Sequence, residues 1–107
     1  MKPEFHPLAA QELNDATDFY ENQTPGLGSD FLDELERILG LLESLPDIGR
    51  PTPRDLRTFP TRQFPYSLVY RNLTDHVFIL AVAHQRRRPR YWAGRANSGG
   101  ITSAEPV

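Results

Sequence analysis

The chain has no cysteine, which excludes disulfides, thiolate zinc sites and a cysteine nucleophile and leaves a reducing compartment open. Lysine occurs once, as Lys2, so nearly all the positive charge is arginine. Long apolar runs are also missing. The longest spans residues 77–83, far short of the roughly 20 residues a membrane-spanning helix needs. Pro3, His6, Pro7, Gln11 and Glu12 interrupt the amino-terminal stretch, which predicts no secretory signal. His6, His76 and His84 fall at no metal-ligand spacing, so neither a metal nor a cofactor is expected. These absences predict a cytoplasmic protein without membrane association. Its 107 residues are expected to form one domain, with residues 1–95 carrying the fold.

Charge is divided along the chain. Residues 1–48 hold eleven acids against Lys2 and Arg37, a net charge of −9, whereas residues 49–95 hold ten arginines against Asp55 and Asp75, a net charge of +8. That division predicts an acidic layer from the first half and a basic layer from the second. Arginine forks suit the planar geometry of carboxylates and phosphates better than lysine does.

Residues 77–92, VFILAVAHQRRRPRYW, join the most apolar stretch to the densest cationic and aromatic one. The apolar half predicts a strand covered on both faces. Ahead of it, residues 1–6 predict a short edge strand between prolines. Ala9, Leu13, Ala16, Thr17 and Tyr20 recur at helical spacing, with Glu12, Asp15, Asp18 and Glu21 assigned to the opposite face, so a helix is predicted over residues 8–22. QTPGLG stops it. Ser29 is the expected cap of a second helix carrying Phe31, Leu35, Ile38, Leu39, Leu42 and Leu45 and ended by Pro46. Residues 47–55 read as a loop, residues 56–63 as a strand demoted to an edge or bulge by Pro60, and residues 66–70 and 77–83 as a hairpin. The predicted fold class is α+β in two layers, an antiparallel helical hairpin on a small twisted antiparallel sheet of three to four strands. Residues 96–107 are expected to be a flexible tail.

The order of a helix, GLG followed by phenylalanine, a second helix, FPYSLVYR and ILAVAHQRRRPRYW resembles the RelE/ParE superfamily of toxins from type II toxin-antitoxin modules, over residues 5–95. The FPY strand and the RRRPRYW ending look closer to its ParE-like, plasmid-stabilisation branch. The resemblance implies the two-layer fold above and a cognate antitoxin that wraps and silences the toxin in a hetero-oligomer.

Two activities follow from the resemblance. ParE-like members act on DNA gyrase, which would make Arg86, Arg87, Arg88, Arg90, Tyr91 and Trp92 a target-binding surface. RelE-like members cut messenger RNA on the ribosome. That chemistry would use Arg87 to stabilise phosphate charge, Tyr91 to stack or share a proton, and His84 as a base, with Arg57 and Arg62 as the substrate-binding cations of the preceding strand. Ser67 stands where the RelE-like pattern has an arginine, and the paired lysines of that pattern are missing, so gyrase inhibition is the leading expectation and ribosome-dependent cleavage the alternative. A member that only binds its antitoxin is a third. Plain structural roles stay open too: the arginines could pair with helix carboxylates, and Tyr91 and Trp92 could simply cover the sheet.

Overall fold

The structure, a computed structural model, describes residues 3–97. Its elements run β1 (Glu4–Phe5), α1 (Pro7–Gln23), α2 (Leu27–Ser44), β2 (Arg50–Thr52), β3 (Leu56–Pro60), β4 (Tyr66–Asn72), β5 (Val77–His84) and a short 3-10 helix, Ala93–Asn97. The hairpin of α1 and α2 covers one face of a five-stranded sheet ordered β1-β5-β4-β3-β2. This is the expected α+β layering with more strands than expected. β1 pairs parallel with β5, at Glu4 with Phe78 and Phe5 with Ile79, so the sheet is mixed.

The additional strand lies inside residues 47–55, expected to be loop. Arg50, Pro51 and Thr52 pair antiparallel with Thr58, Arg57 and Leu56. No alternation marks that tripeptide. What pairs it is the tight turn at residues 53–55, where Arg54 and Asp55 take left-handed φ values of 70° and 61° that suit a short hairpin. β2 stops opposite Thr58, so Pro60 sits where β3 has no outer neighbour and its missing N–H costs no ladder bond.

Helix α1 begins as its sequence suggests, with Pro7 in the first turn and the His6 ring accepting the Leu8 N–H at 3.0 Å. Helix α2 does not. It starts two residues before Ser29, after Gly26 at φ 91°, and no side chain of its own caps it. Glu21 at the end of α1 does so instead, its carboxylate accepting the N–H groups of Gly26 and Gly28 at 3.0 to 3.1 Å. Gly28 is required there because a Cβ would lie 2.7 Å from the Thr17 carbonyl oxygen.

Between helices and sheet, Tyr20, Phe31, Phe64 and Tyr66 form an aromatic cluster with centroid separations of 4.8 to 6.3 Å, around which Leu35, Ile38, Leu42, Leu68 and Ile79 pack. All seven residues from Val77 to Ala83 are buried, as their unbroken apolarity predicts. They divide between the two faces: Val77, Ile79 and Val82 meet the helices, while Phe78, Leu80, Ala81 and Ala83 join Leu56, Val69, Trp92 and Ala96 in a second core behind the sheet. A register shift between Val69 and Tyr70 leaves Leu80 without a cross-strand partner, a bulge that sharpens the local twist. β5 is interior but not the middle strand. Ala96, assigned to the tail from sequence, is buried, and Asn97 ends the 3-10 helix; residues 98–107 of that predicted tail lie outside the described residues.

Candidate functional site

After His84 the chain reverses over the rear face of the sheet. Gln85 N–H donates to the Pro65 carbonyl at 2.8 Å and Arg87 N–H to the His84 carbonyl at 3.0 Å. Arg90 takes φ 60°, and turn bonds from Tyr91 to Arg88 and from Ala93 to Arg90 lead into the 3-10 helix. This return drops Trp92 into the rear core, 6% exposed, and leaves residues 85–90 exposed. A groove of about 290 Å3 results, with Ser67, Val69, Thr58 and Ala83 at its floor and His84, Arg87, Arg88, Arg90, Tyr91 and Trp92 around it. Arg50 of β2, Gln85 and Pro89 complete the lining, which contains no carboxylate.

The arginines of this segment are braced by rings. The Arg87 guanidinium lies 3.8 Å from the Tyr91 centroid and that of Arg90 5.2 Å from Trp92, and Arg90 also donates to Thr52 Oγ1 at 3.1 Å. Such contacts contribute about 0.5 to 1 kcal/mol each at exposed sites, enough to bias a side chain without removing its charge. Among the described residues no carboxylate pairs with Arg86, Arg87, Arg88 or Arg90.

The predicted acid-base groups are differently placed. His84 Nδ1 accepts the Arg86 N–H at 3.0 Å, so in the neutral ring the proton sits on Nε2 and no free lone pair faces outward. Tyr91 donates its hydroxyl to Glu12 Oε2 at 2.7 Å. Burial and then the Glu12 carboxylate push its phenol far above the ordinary value. Arg57 and Arg62 do not join the groove. Strand alternation puts Arg57 on the opposite face from Thr58, where it donates to the carbonyls of Asp47 and Gly49 at 2.9 and 2.8 Å. Arg62 is exposed beyond β3, its backbone N–H held by Glu34 at 2.7 Å.

The chain matches, over residues 4–89, the model of the family described as ParE toxin of type II toxin-antitoxin system, parDE. It belongs to the ParE toxin family. A solved chain described as the chromosomal ParDE TA system from P. aeruginosa is similar to this ParE family member, with a TM-score of 0.56 and 21% identity, covering 78% of this chain and 95% of that one. At that identity the likeness shows the fold alone. No curated protein matches the chain.

What the sequence did not reveal in this family member is the ion pair to which Tyr91 is tied. Glu12, assigned to the solvent face of α1, accepts a two-pronged Arg95 fork at 3.0 and 2.9 Å, the Tyr91 hydroxyl, and the Val82 N–H at 3.0 Å. Burial acts to raise its pKa, yet the bonds from Arg95, Tyr91 and Val82 hold the carboxyl below the ordinary value. Arg95 also donates to the Leu80 carbonyl at 3.0 Å. The tyrosine between an arginine-rich run and Arg95 was the only signal available. It could not name its carboxylate, 79 residues away.

Proposed function

We propose that this ParE family toxin inhibits DNA gyrase by binding it through the exposed arginines Arg86, Arg87, Arg88 and Arg90 with half-buried Tyr91 beside them, and that a cognate antitoxin in a cytoplasmic hetero-oligomer silences it; Trp92, expected at the same surface, is buried in the rear core and anchors the segment instead. The observation that carries this reading is the exposed arginine segment: Arg86, Arg87, Arg88 and Arg90 make no ion pair among the described residues, and two of them are braced on rings, in a molecule whose formal net charge is −2. Cations left without intramolecular carboxylates are available to an acidic or phosphate-bearing surface. The ParDE system named for the solved relative supports an antitoxin partner here, and exposed Leu8 and Phe19 on α1 offer it apolar anchors.

The test is inhibition of gyrase supercoiling by the purified protein. Arg88→Ala with Arg90→Ala is expected to raise the half-inhibitory concentration at least about tenfold, since interface arginines often exceed 1.4 kcal/mol on truncation. Supercoiling untouched at high toxin concentration would sink the gyrase reading.

Messenger RNA cleavage is the second reading, favoured by the convergence of His84, Arg87 and Tyr91 on one groove. Against it stand the occupied Nδ1 of His84, the Tyr91 hydroxyl committed to Glu12, and uncharged Ser67 on the groove floor. Discrete cuts in mRNA on translating ribosomes, with gyrase unaffected, would establish it in place of the first. No effect in either assay and no growth arrest on expression would leave a family member that only binds its antitoxin.

A further inference from the structure

We propose that Glu12 and Arg95 are positioning residues: they close the uncovered edge of β5 and, through Tyr91, lock the arginine segment in its folded-back geometry. The proposal deepens the reading of residues 86–92 as the binding surface and rests on it for its functional consequence.

The edge explains why the pair is there. β1 covers β5 at Phe78 and Ile79, and the His6 N–H reaches the Ile79 carbonyl. Beyond that point β5 continues through His84 with β4 on one side and, among the described residues, no strand on the other. Its outward backbone groups must find partners, because an unpaired peptide group in a buried place costs as much as a lost hydrogen bond. Glu12 takes the Val82 N–H and Arg95 supplies the Leu80 carbonyl, each at 3.0 Å. One carboxylate and one guanidinium thus do what a neighbouring strand would do. They are joined to each other by two further bonds and are 14% and 12% exposed.

The same pair reaches the arginine segment through Tyr91. Tyr91 gives its hydroxyl to Glu12, and its ring is near two guanidinium groups, Arg87 at 3.8 Å and Arg95 at 5.2 Å from the centroid. The position of the ring that braces Arg87 is therefore tied to a carboxylate on α1. Residues 85–90 belong to no helix or strand, and their few turn bonds do not fix the ring. With the carboxylate gone, Trp92 and Ala96 would still hold the far end of the segment, but the stretch before Tyr91 would open more often.

The experiment compares Glu12→Ala, Glu12→Gln and Tyr91→Phe with Tyr70→Phe. Tyr70 ties the far end of the sheet to the connector after α2, donating to the Pro46 carbonyl at 2.6 Å and accepting the Gly49 N–H at 3.0 Å, so its variant controls for lost stability alone. Two readouts are taken well below the melting temperature: the rate of native-state trypsin cleavage after Arg86, Arg87 and Arg90, and the half-inhibitory concentration against gyrase. Glu12→Ala and Tyr91→Phe are expected to raise both about tenfold, the scale of one lost charge-assisted bond. Glu12→Gln, which keeps an acceptor for Val82, falls between them and the parent. Tyr70→Phe moves neither readout, although its melting temperature drops. Unchanged trypsin cleavage in Tyr91→Phe overturns the proposal, as does equal loosening in Tyr70→Phe. If Glu12→Ala does not fold, Tyr91→Phe decides, since it removes one hydroxyl only. Should the parent protein leave gyrase untouched, the gyrase reading falls while the cleavage rates still decide the latch.

Discussion

The two faces of the sheet are closed by different means. On the helix side, Phe31, Leu35, Ile38 and Leu42 meet Leu68, Tyr70, Ile79 and Val82, and the Tyr20 and Tyr66 rings complete an aromatic cluster. On the rear, a chain segment with one short 3-10 helix lays Trp92 and Ala96 over Phe78, Leu80 and Val69, and a half-buried ion pair fastens it. Apolar area holds the first face, and area alone is a non-directional, pH-independent force. The second depends on directed, charged bonds that acid can break and that removing one partner turns into a penalty. The helix face makes the domain stable. The rear face, with less to bury, can present charge.

The contrast breaks most sharply at Phe31. It is fully buried and within 5.0 to 5.4 Å of three rings, so Phe31→Ala should lower the urea-unfolding free energy by about 4 kcal/mol. Molecules that remain folded should match the parent protein in the supercoiling assay. Next is Gly28→Ala. The added methyl would crowd the Thr17 carbonyl and the Glu21 Cβ at 2.7 and 2.9 Å, separating α1 from α2 at a cost of about 1 to 3 kcal/mol, measurable as a fall in melting temperature.

Titration sharpens the comparison because the rear face should be the acid-sensitive one. Glu12 is depressed in the folded protein, so its stabilisation is complete above the ordinary carboxylate value of 4.5 and is lost as pH falls through the lower folded value. Glu12→Gln should flatten that acid limb in a series of urea melts. His76 has the opposite sign. Hydrogen bonds to Asp75 at 2.7 Å and Glu4 at 2.9 Å raise its pKa, so its contribution is complete below 6.5 and fades as pH rises through the raised value. His76→Asn should remove a shallow alkaline decline and, on the acid side, only the part that Asp75 owes to the same bond. The smallest stability effect belongs to Arg88→Ala, which loses no ion pair among the described residues and should change stability by less than about 0.5 kcal/mol. A larger loss would mean that the arginine segment is part of the rear core.

Much of this was legible in residue order. Spacings of three and four in Phe31, Leu35, Ile38 and Leu42 gave the second helix, and seven apolar residues in a row gave a strand buried on both faces, because periodicity reports a single dominant direction of burial. The start of α2 was not legible, since its cap comes from Glu21 on another helix rather than from Ser29. β2 was missed because Arg50, Pro51 and Thr52 form a strand only once β3 offers them a ladder. Within the site, the cluster from His84 to Trp92 was visible from charge and aromatic density. Its separation from Arg57 followed only from strand alternation.

By itself, then, the sequence determined the two-layer plan, the apolar strand at its heart and the arginine-rich exit, because local spacing and composition carry those directly. Tertiary structure alone decided which charges are partnered. Arg95 and the four arginines before it are alike in sequence, yet among the described residues only Arg95 of these five pairs with a carboxylate, because folding brings Glu12 on α1 to the open edge of β5. A contact across 83 residues leaves no trace in either neighbourhood, and here it is the contact that holds the exposed arginines in place.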